Sequence, residues 1–334
     1  MGFNTHNRFL GLSFLVLTSL SPALTRGQGY HFYDFNHYEP AVVLDFGLHI
    51  GVMNCVTDIG GNKNGTQGFT PYTTKSSQLS GGVALTGTYK DYLALRLDFN
   101  MGKIAQYDST LSDATHYSAK GRYERNLHFR STIYDVGLIF EIHPVFFRDY
   151  QIHDRYMPRF SPYLCFGIGA TAFNPQAQYE GKWIDLAPLR LEGQGFDEYP
   201  DRKPYRKSFI AFPTGVGIRY EASRTFFFRA EFVHRFTSTD YLDDVSYGDW
   251  VDPALFNKYL SAEQAIIATE MYNRSALIDP PRNTRPRGNR KDTDTYWSAA
   301  IKVGVCLNRT RTVERAYYKG VRSNSYKAKF LRIF

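Results

Sequence analysis

Leu93-Ala94-Leu95-Arg96-Leu97-Asp98-Phe99-Asn100-Met101-Gly102 alternates apolar with small or polar residues without a break. Successive side chains on an extended strand point to opposite faces, so Leu93, Leu95, Leu97, Phe99 and Met101 form one wholly apolar face. The other face carries Arg96, Asp98 and Asn100. Two environments ask for this pattern. In a soluble sandwich the apolar face meets a second sheet; in a membrane barrel it meets lipid and the charges point into a closed interior.

The rest of the chain favours the barrel. The alternation recurs at 42–52, 79–89, up to 142, after Pro158, at 210–220, at 226–235 and at 296–307. With the opening stretch these make eight strands. Pro213 has no N–H to give a ladder, so a bulge is expected there. Links two to three and six to seven are tight, four to five is intermediate, and the other four are long. Short turns at one end and long loops at the other mark an outer-membrane barrel. The fold expected is all-β: an eight-stranded antiparallel transmembrane β-barrel with long extracellular loops, one containing a helix. The helix falls after Asp252-Pro253, where Leu255, Tyr259, Ala262, Ile266 and Met271 have rough helical spacing.

Three parts follow. Residues 1–28 read as a signal peptide, with Arg8 ahead of an apolar run too short to span a bilayer and small residues near Gly27 and Gly29. The barrel occupies 30–307. Residues 308–334 form a basic tail placed in the periplasm, with both barrel termini. The tail holds Arg309, Arg311, Arg315, Lys319, Arg322, Lys327, Lys329 and Arg332 against Glu314, +7 of the chain's net +8. The excess charge is therefore local, and nothing calls for nucleic acid. Tyr317, Tyr318, Tyr326, Phe330 and Phe334 interleave these charges, which suits a protein partner as well as anionic phosphates.

On the inward faces Asp45, Asp98, Asp135, Glu141 and Glu231 balance Arg96, Arg219, Arg229, Arg235 and Lys302. An eight-stranded interior is only wide enough for side chains, so these should pair as a polar network. Cys55, Cys165 and Cys306 have no metal spacing and read as free thiols. The acidic loop Asp240, Tyr241, Asp243, Asp244, with Asp249 and Asp252, has carboxylates for calcium but not the spacing of a calcium loop, so turn and capping roles are expected. His49, His128, His143 and His234 fall on different strands or faces and no serine has an evident partner, which argues against a lipid-modifying enzyme. No cofactor, metal or small-molecule substrate is expected.

Six stretches carry a family resemblance: GVMNCVTDIGG at 51–61, RNLHFRSTIYD at 125–135, SPYLCFGIGATAFNP at 161–175, LEGQG at 191–195, FPTGVGIRY at 212–220 and FTSTDYLDDVS at 236–246. With them the chain resembles the PorG-like outer-membrane barrels of the type IX secretion system in Bacteroidota. The resemblance implies a non-enzymatic component that couples a periplasmic ring, built of a PorK-like lipoprotein and a PorN-like protein, to the outer membrane. A stand-alone surface-binding barrel or adhesin is the alternative.

Overall fold

The computed structural model describes residues 41–63, 76–147, 158–223, 225–275 and 286–308. The signal segment and the tail from 309 onward, including every basic and aromatic tail residue named above, lie outside the described residues.

Eight strands close a ring: β1 (Val42–Val56), β2 (Gln78–Tyr89), β3 (Leu93–Tyr107), β4 (His128–Ile142), β5 (Phe160–Tyr179), β7 (Ser208–Glu221), β8 (Phe226–Thr237) and β9 (Thr295–Cys306). Each pairs antiparallel with its neighbours, and β1 with β9 completes the circle, so the barrel has no free edge. A short β6 (Lys182–Asp185) extends β5 as a hairpin above the ring. Asn308, assigned to the tail by the sequence, belongs to the seam: its Nδ2 donates to the Val42 carbonyl at 2.8 Å and its Oδ1 accepts from Leu44 N–H at 3.0 Å.

The outward set is exposed as the alternation requires. Leu44, Leu48, Ile50, Leu85, Leu97, Leu138, Ile168, Val216, Ile218 and Val303 all face out. Residues 42–52 on a tilted strand give a belt about 25 Å tall, the hydrocarbon height of such barrels. Near its short-turn border Tyr89, Tyr92 and Phe147 make edge-to-face contacts with centroids 6.2 Å apart, and Phe160 sits on Tyr220 at 4.7 Å. These rings mark an interfacial girdle. A closed antiparallel ring behind an apolar belt makes the chain a small barrel of the outer-membrane type.

Two local expectations change. Pro213 makes no bulge: β5–β7 pairing stops at Phe166↔Thr214 and resumes at Gly169↔Ala211 in the same register, so the missing N–H leaves a gap rather than inserting a residue. Trp297 keeps outward parity but is buried beside Phe232, with centroids 5.5 Å apart.

The largest apolar core lies above the ring, among the long loops. Ile59, Leu127, Phe173, Leu189, Phe196, Leu242, Phe256 and Tyr272 pack there as one cluster. α1 (Tyr117–Arg125), a one-turn α2 (Phe256–Tyr259) and α3 (Ala262–Tyr272) belong to this cap. The helix expected in the last loop is α3, opened by a capping box of Ser261 and Gln264. It buries Ala265, Ala268, Met271 and Tyr272, whereas Ile266 faces solvent, so the apolar stripe inferred from spacing was rotated. α1 was not anticipated; its apolar signal is a single buried Ala119, and its buried face is otherwise Arg122 and Arg125.

Candidate functional site

Two polar assemblies hold the chemistry: a plug inside the ring and the cap above it. The strands project the plug side chains inward by parity alone, but closure decides which of them meet. Arg96 on β3 reaches across to β8, where its Nη1 and Nη2 donate to Glu231 at 2.6 and 3.1 Å. It also donates to Glu141, and Arg229 Nη1 donates to both Glu141 oxygens at 3.0 and 2.9 Å. Lys302 joins Asp98 at 3.2 Å and Glu231 at 3.0 Å. Arg219 pairs with Asp45 and, at 3.1 Å, with Glu221; Arg235 Nε donates to Asp135 at 2.6 Å. Every lumen residue named from the sequence is thus buried in an ion pair: Arg229, 3.6 Å from Asp45, joins most of them into one network, and Arg235 with Asp135 forms a pair beside it. Tyr163 closes the network by donating to Glu231 at 2.7 Å, and glycine beneath it is required: a Cβ on Gly217 would lie 2.3 Å from its ring.

The expectation that no serine has a partner is wrong. His143 Nδ1 and Ser161 Oγ are hydrogen-bonded at 2.8 Å, and His143 Nε2 lies 3.4 Å from Glu141. The order resembles an acyl-transfer triad. Its setting does not serve one: Ser161 is 3% exposed, Glu141 is held by two guanidiniums, and the space beside His143 is about 10 Å³. Sequence reasoning missed the pair because the strands' connection separates the two residues and only the barrel wall rejoins them.

The cap ties distant loops together through buried carboxylates. Asp243 accepts from Ile59 N–H at 2.9 Å and Val245 N–H at 3.0 Å. Glu192 accepts from Ser246 and Tyr247 N–H at 3.0 and 3.2 Å, with Arg287 at 3.6 Å. Asp108 accepts from Gly60 and Leu127 N–H and from Arg125, which also donates to the Asp58 carbonyl at 2.9 Å. Asp294 accepts from Leu242 N–H at 2.8 Å. Asp244 accepts from Tyr205 Oη, and Tyr205 stacks on Tyr241 with centroids 4.6 Å apart. Asp240 lines a cleft of about 620 Å³ with Lys203, Tyr247 and Arg290.

Burial, before any other cause, pushes Asp240 and Asp244 up to about 7 and raises Asp243, Asp294 and Glu192 above the usual carboxylate range. Neighbouring acids add to this at Asp243, through Asp58, and at Asp294, through Asp243. The acidic loop therefore works as caps and braces; Asp252 likewise accepts from Ala254 N–H at 3.0 Å, while Asp249 stands in solvent. Among the described residues no three His, Cys, Asp or Glu side chains converge to hold a metal. The three cysteines are buried thiols, none of them in a disulfide. Asp108, Arg125, Asp58, Asp294 and Arg287 were not singled out as site residues, having no local pattern to mark them.

No protein-family model matches the chain, and no characterised protein matches it in sequence. Among solved structures, Neisserial surface protein A matches with a TM-score of 0.33 at 8% identity, over 80% of this chain and 98% of that one. The N-terminal β-barrel domain of Pseudomonas aeruginosa OprF gives 0.29 at 10%, over 79% and 97%. Ail, the attachment invasion locus protein of Yersinia pestis, in complex with the heparin analogue sucrose octasulfate, gives 0.32 at 8%, over 80% and 97%. The barrel assignment rests on the strand pairing itself.

Proposed function

We propose that this chain is a non-enzymatic outer-membrane component of the type IX secretion system, coupling a periplasmic ring of PorK-like and PorN-like proteins to the membrane. One observation carries the reading beyond the barrel class. Three of the loop stretches that carry the PorG-like resemblance, TDIGG, LEGQG and TDYLDDVS, interlock in one buried cap through Asp243 to Ile59 and Glu192 to Ser246. Signatures so far apart in sequence then form one structural unit, as a shared family feature should. In this reading the long loops face the exterior. Both barrel ends leave on the short-turn side, where Val42 pairs with Tyr89 and Asp45 with Cys306, and this side faces the periplasm. The tail, +7 with interleaved aromatics, docks on the ring, its charges steering encounter and its rings filling pockets.

The test is affinity capture of the full-length protein from detergent-solubilised membranes. PorK-like and PorN-like proteins should come down with it, and deleting 310–334 should abolish capture and impair secretion while leaving a heat-modifiable barrel. Capture that survives the deletion moves the docking surface to the short turns, around 144–159. A barrel that captures no ring protein overturns the reading in favour of a stand-alone surface-binding barrel.

A further inference from the structure

Beyond the apolar belt at the long-loop end, one part of the outer wall changes character. On β3, β4 and β5 the outward row Met101, Tyr134 and Ala172 is followed by Lys103, Thr132 and Asn174, and then by Ala105, Arg130 and Gln176. β6 sets Asp185 beside Gln176, and Lys207 arrives just before β7. On strands tilted by about 40° each row rises roughly 5 Å, so Lys103 and Arg130 stand about 5 and 10 Å above the last belt residues, at the height of lipid headgroups.

These side chains are tied into one array. Lys207 Nζ donates to Asn174 Oδ1 at 3.0 Å, Asn174 Nδ2 and Gln176 Nε2 donate to Asp185 Oδ1 at 2.8 and 2.7 Å, and Arg130 Nε donates to Gln176 Oε1 at 3.2 Å. Trp183 covers one face of the Arg130 guanidinium, with Cζ 3.8 Å from the ring centroid. The amide and the indole fix the plane of the fork. Its two terminal nitrogens make no hydrogen bond among the described residues and are not sealed from solvent. Lys103 and Lys207 are exposed. Arg130 and Lys207 thus meet neutral amide oxygens, and three cations against the single carboxylate of Asp185 leave the array at +2. At the same border elsewhere the outward positions are Ser208 on β7, Ser238 just past β8, Thr295 on β9 and Asn54 on β1, none of them charged.

We propose that this ledge holds the phosphate-bearing headgroup of a membrane lipid. Arg130 gives its terminal N–H groups to the phosphate oxygens, Lys103 and Lys207 flank it, and the acyl chains lie along Phe99, Met101 and Tyr134, which are exposed on the belt below. A guanidinium fork matches two phosphate oxygens, and the ammonium groups add charge. The occupant is a lipid because the belt beneath the cations is already an interface with hydrocarbon, so headgroup and chains meet one continuous surface. The inference rests on the barrel's place in a membrane and is independent of the secretion role.

The experiment counts the lipids retained by the full-length protein in native mass spectrometry from a non-ionic detergent, with phosphatidic acid and phosphatidylcholine of identical chains as probes. The basic tail also attracts phosphatidic acid, so the site is read as the difference between variants that all carry the tail. Arg130→Gln should lower retained phosphatidic acid about threefold or more and Arg130→Lys less, with phosphatidylcholine unchanged and heat-modifiability confirming that the barrel is folded. Lys103→Gln and Lys207→Gln, at exposed positions, should each lower it about twofold and provide independent variants. Lys63→Gln, an equal loss of charge on an exposed loop, should leave it unchanged. The proposal fails if Lys63→Gln costs as much as Arg130→Gln, which would make the effect one of net charge. It fails equally if the folded Arg130, Lys103 and Lys207 variants retain phosphatidic acid as the unaltered protein does, or if inorganic phosphate at the concentration of the lipid displaces it.

Discussion

The carboxylate of Asp243 accepts the backbone N–H of Ile59 at 2.9 Å, joining the last long loop to the first across 184 residues of sequence. Its other oxygen takes Val245 N–H, so one buried side chain satisfies two buried donors on two loops.

Asp243→Ala should therefore loosen the cap and leave the ring intact. Two buried N–H groups without acceptors cost about 2 to 4 kcal/mol. Protease should cut the loops near 59 and 243 faster, while the folded barrel still shows its shifted mobility on unheated gels. Unchanged cutting would show that the cap does not depend on this link.

The lumen should punish removal of a shared cation. Arg96→Met strands Glu231 and Glu141 of one partner each inside the ring, a change of about 3 kcal/mol or more. Urea unfolding in micelles should shift to a lower midpoint, with Arg96→Lys in between. A midpoint unmoved by Arg96→Met would mean that the neighbouring Arg229 and Lys302 suffice.

The two faces of β3 should respond oppositely to charge. Leu97 is 53% exposed on the belt, so Leu97→Arg puts a cation in lipid at a cost of about 2 to 4 kcal/mol and should lower the yield of folded barrel. Asp98→Asn on the inner face weakens the contact to Lys302 and the longer ones to Arg96 and His49, within a shared network, and should be much milder. Equal losses in both would mean that the faces are misassigned.

The cap should tighten as pH falls. Asp240 and Asp244 hold their protons up to about 7 in the fold but lose them near 4 when unfolded. Between those values the folded cap binds more protons than the unfolded one, so its stability declines as pH rises from about 4 to 7. Amide exchange at 238–252, corrected for intrinsic rates, should be slower at pH 6 than at pH 8, and Asp244→Asn should flatten the profile. The opposite slope would show carboxylates that are ionised and paired in the fold.

The strand alternation, the identity of the outward and inward sets and the short-turn and long-loop ends were all legible in the sequence. A period of two is local, and lipid on one side with a filled lumen on the other imposes it residue by residue, as in Leu97 beside Asp98. What sequence did not decide is partnership. That Arg96 makes its short hydrogen bonds to Glu231, while Asp98, two residues away in sequence, stays at 3.8 Å, follows from closure and stagger of the ring, which bring β3 opposite β8. Ser161 finds His143 through the pairing of β4 with β5, and Asp243 finds Ile59 only when the long loops pack. The cap lay furthest from reach: α1 has almost no apolar stripe, α3 turns Ile266 outward, and the buried acids and arginines there are held by backbone N–H groups and carbonyls, whose positions exist only once the loops have packed.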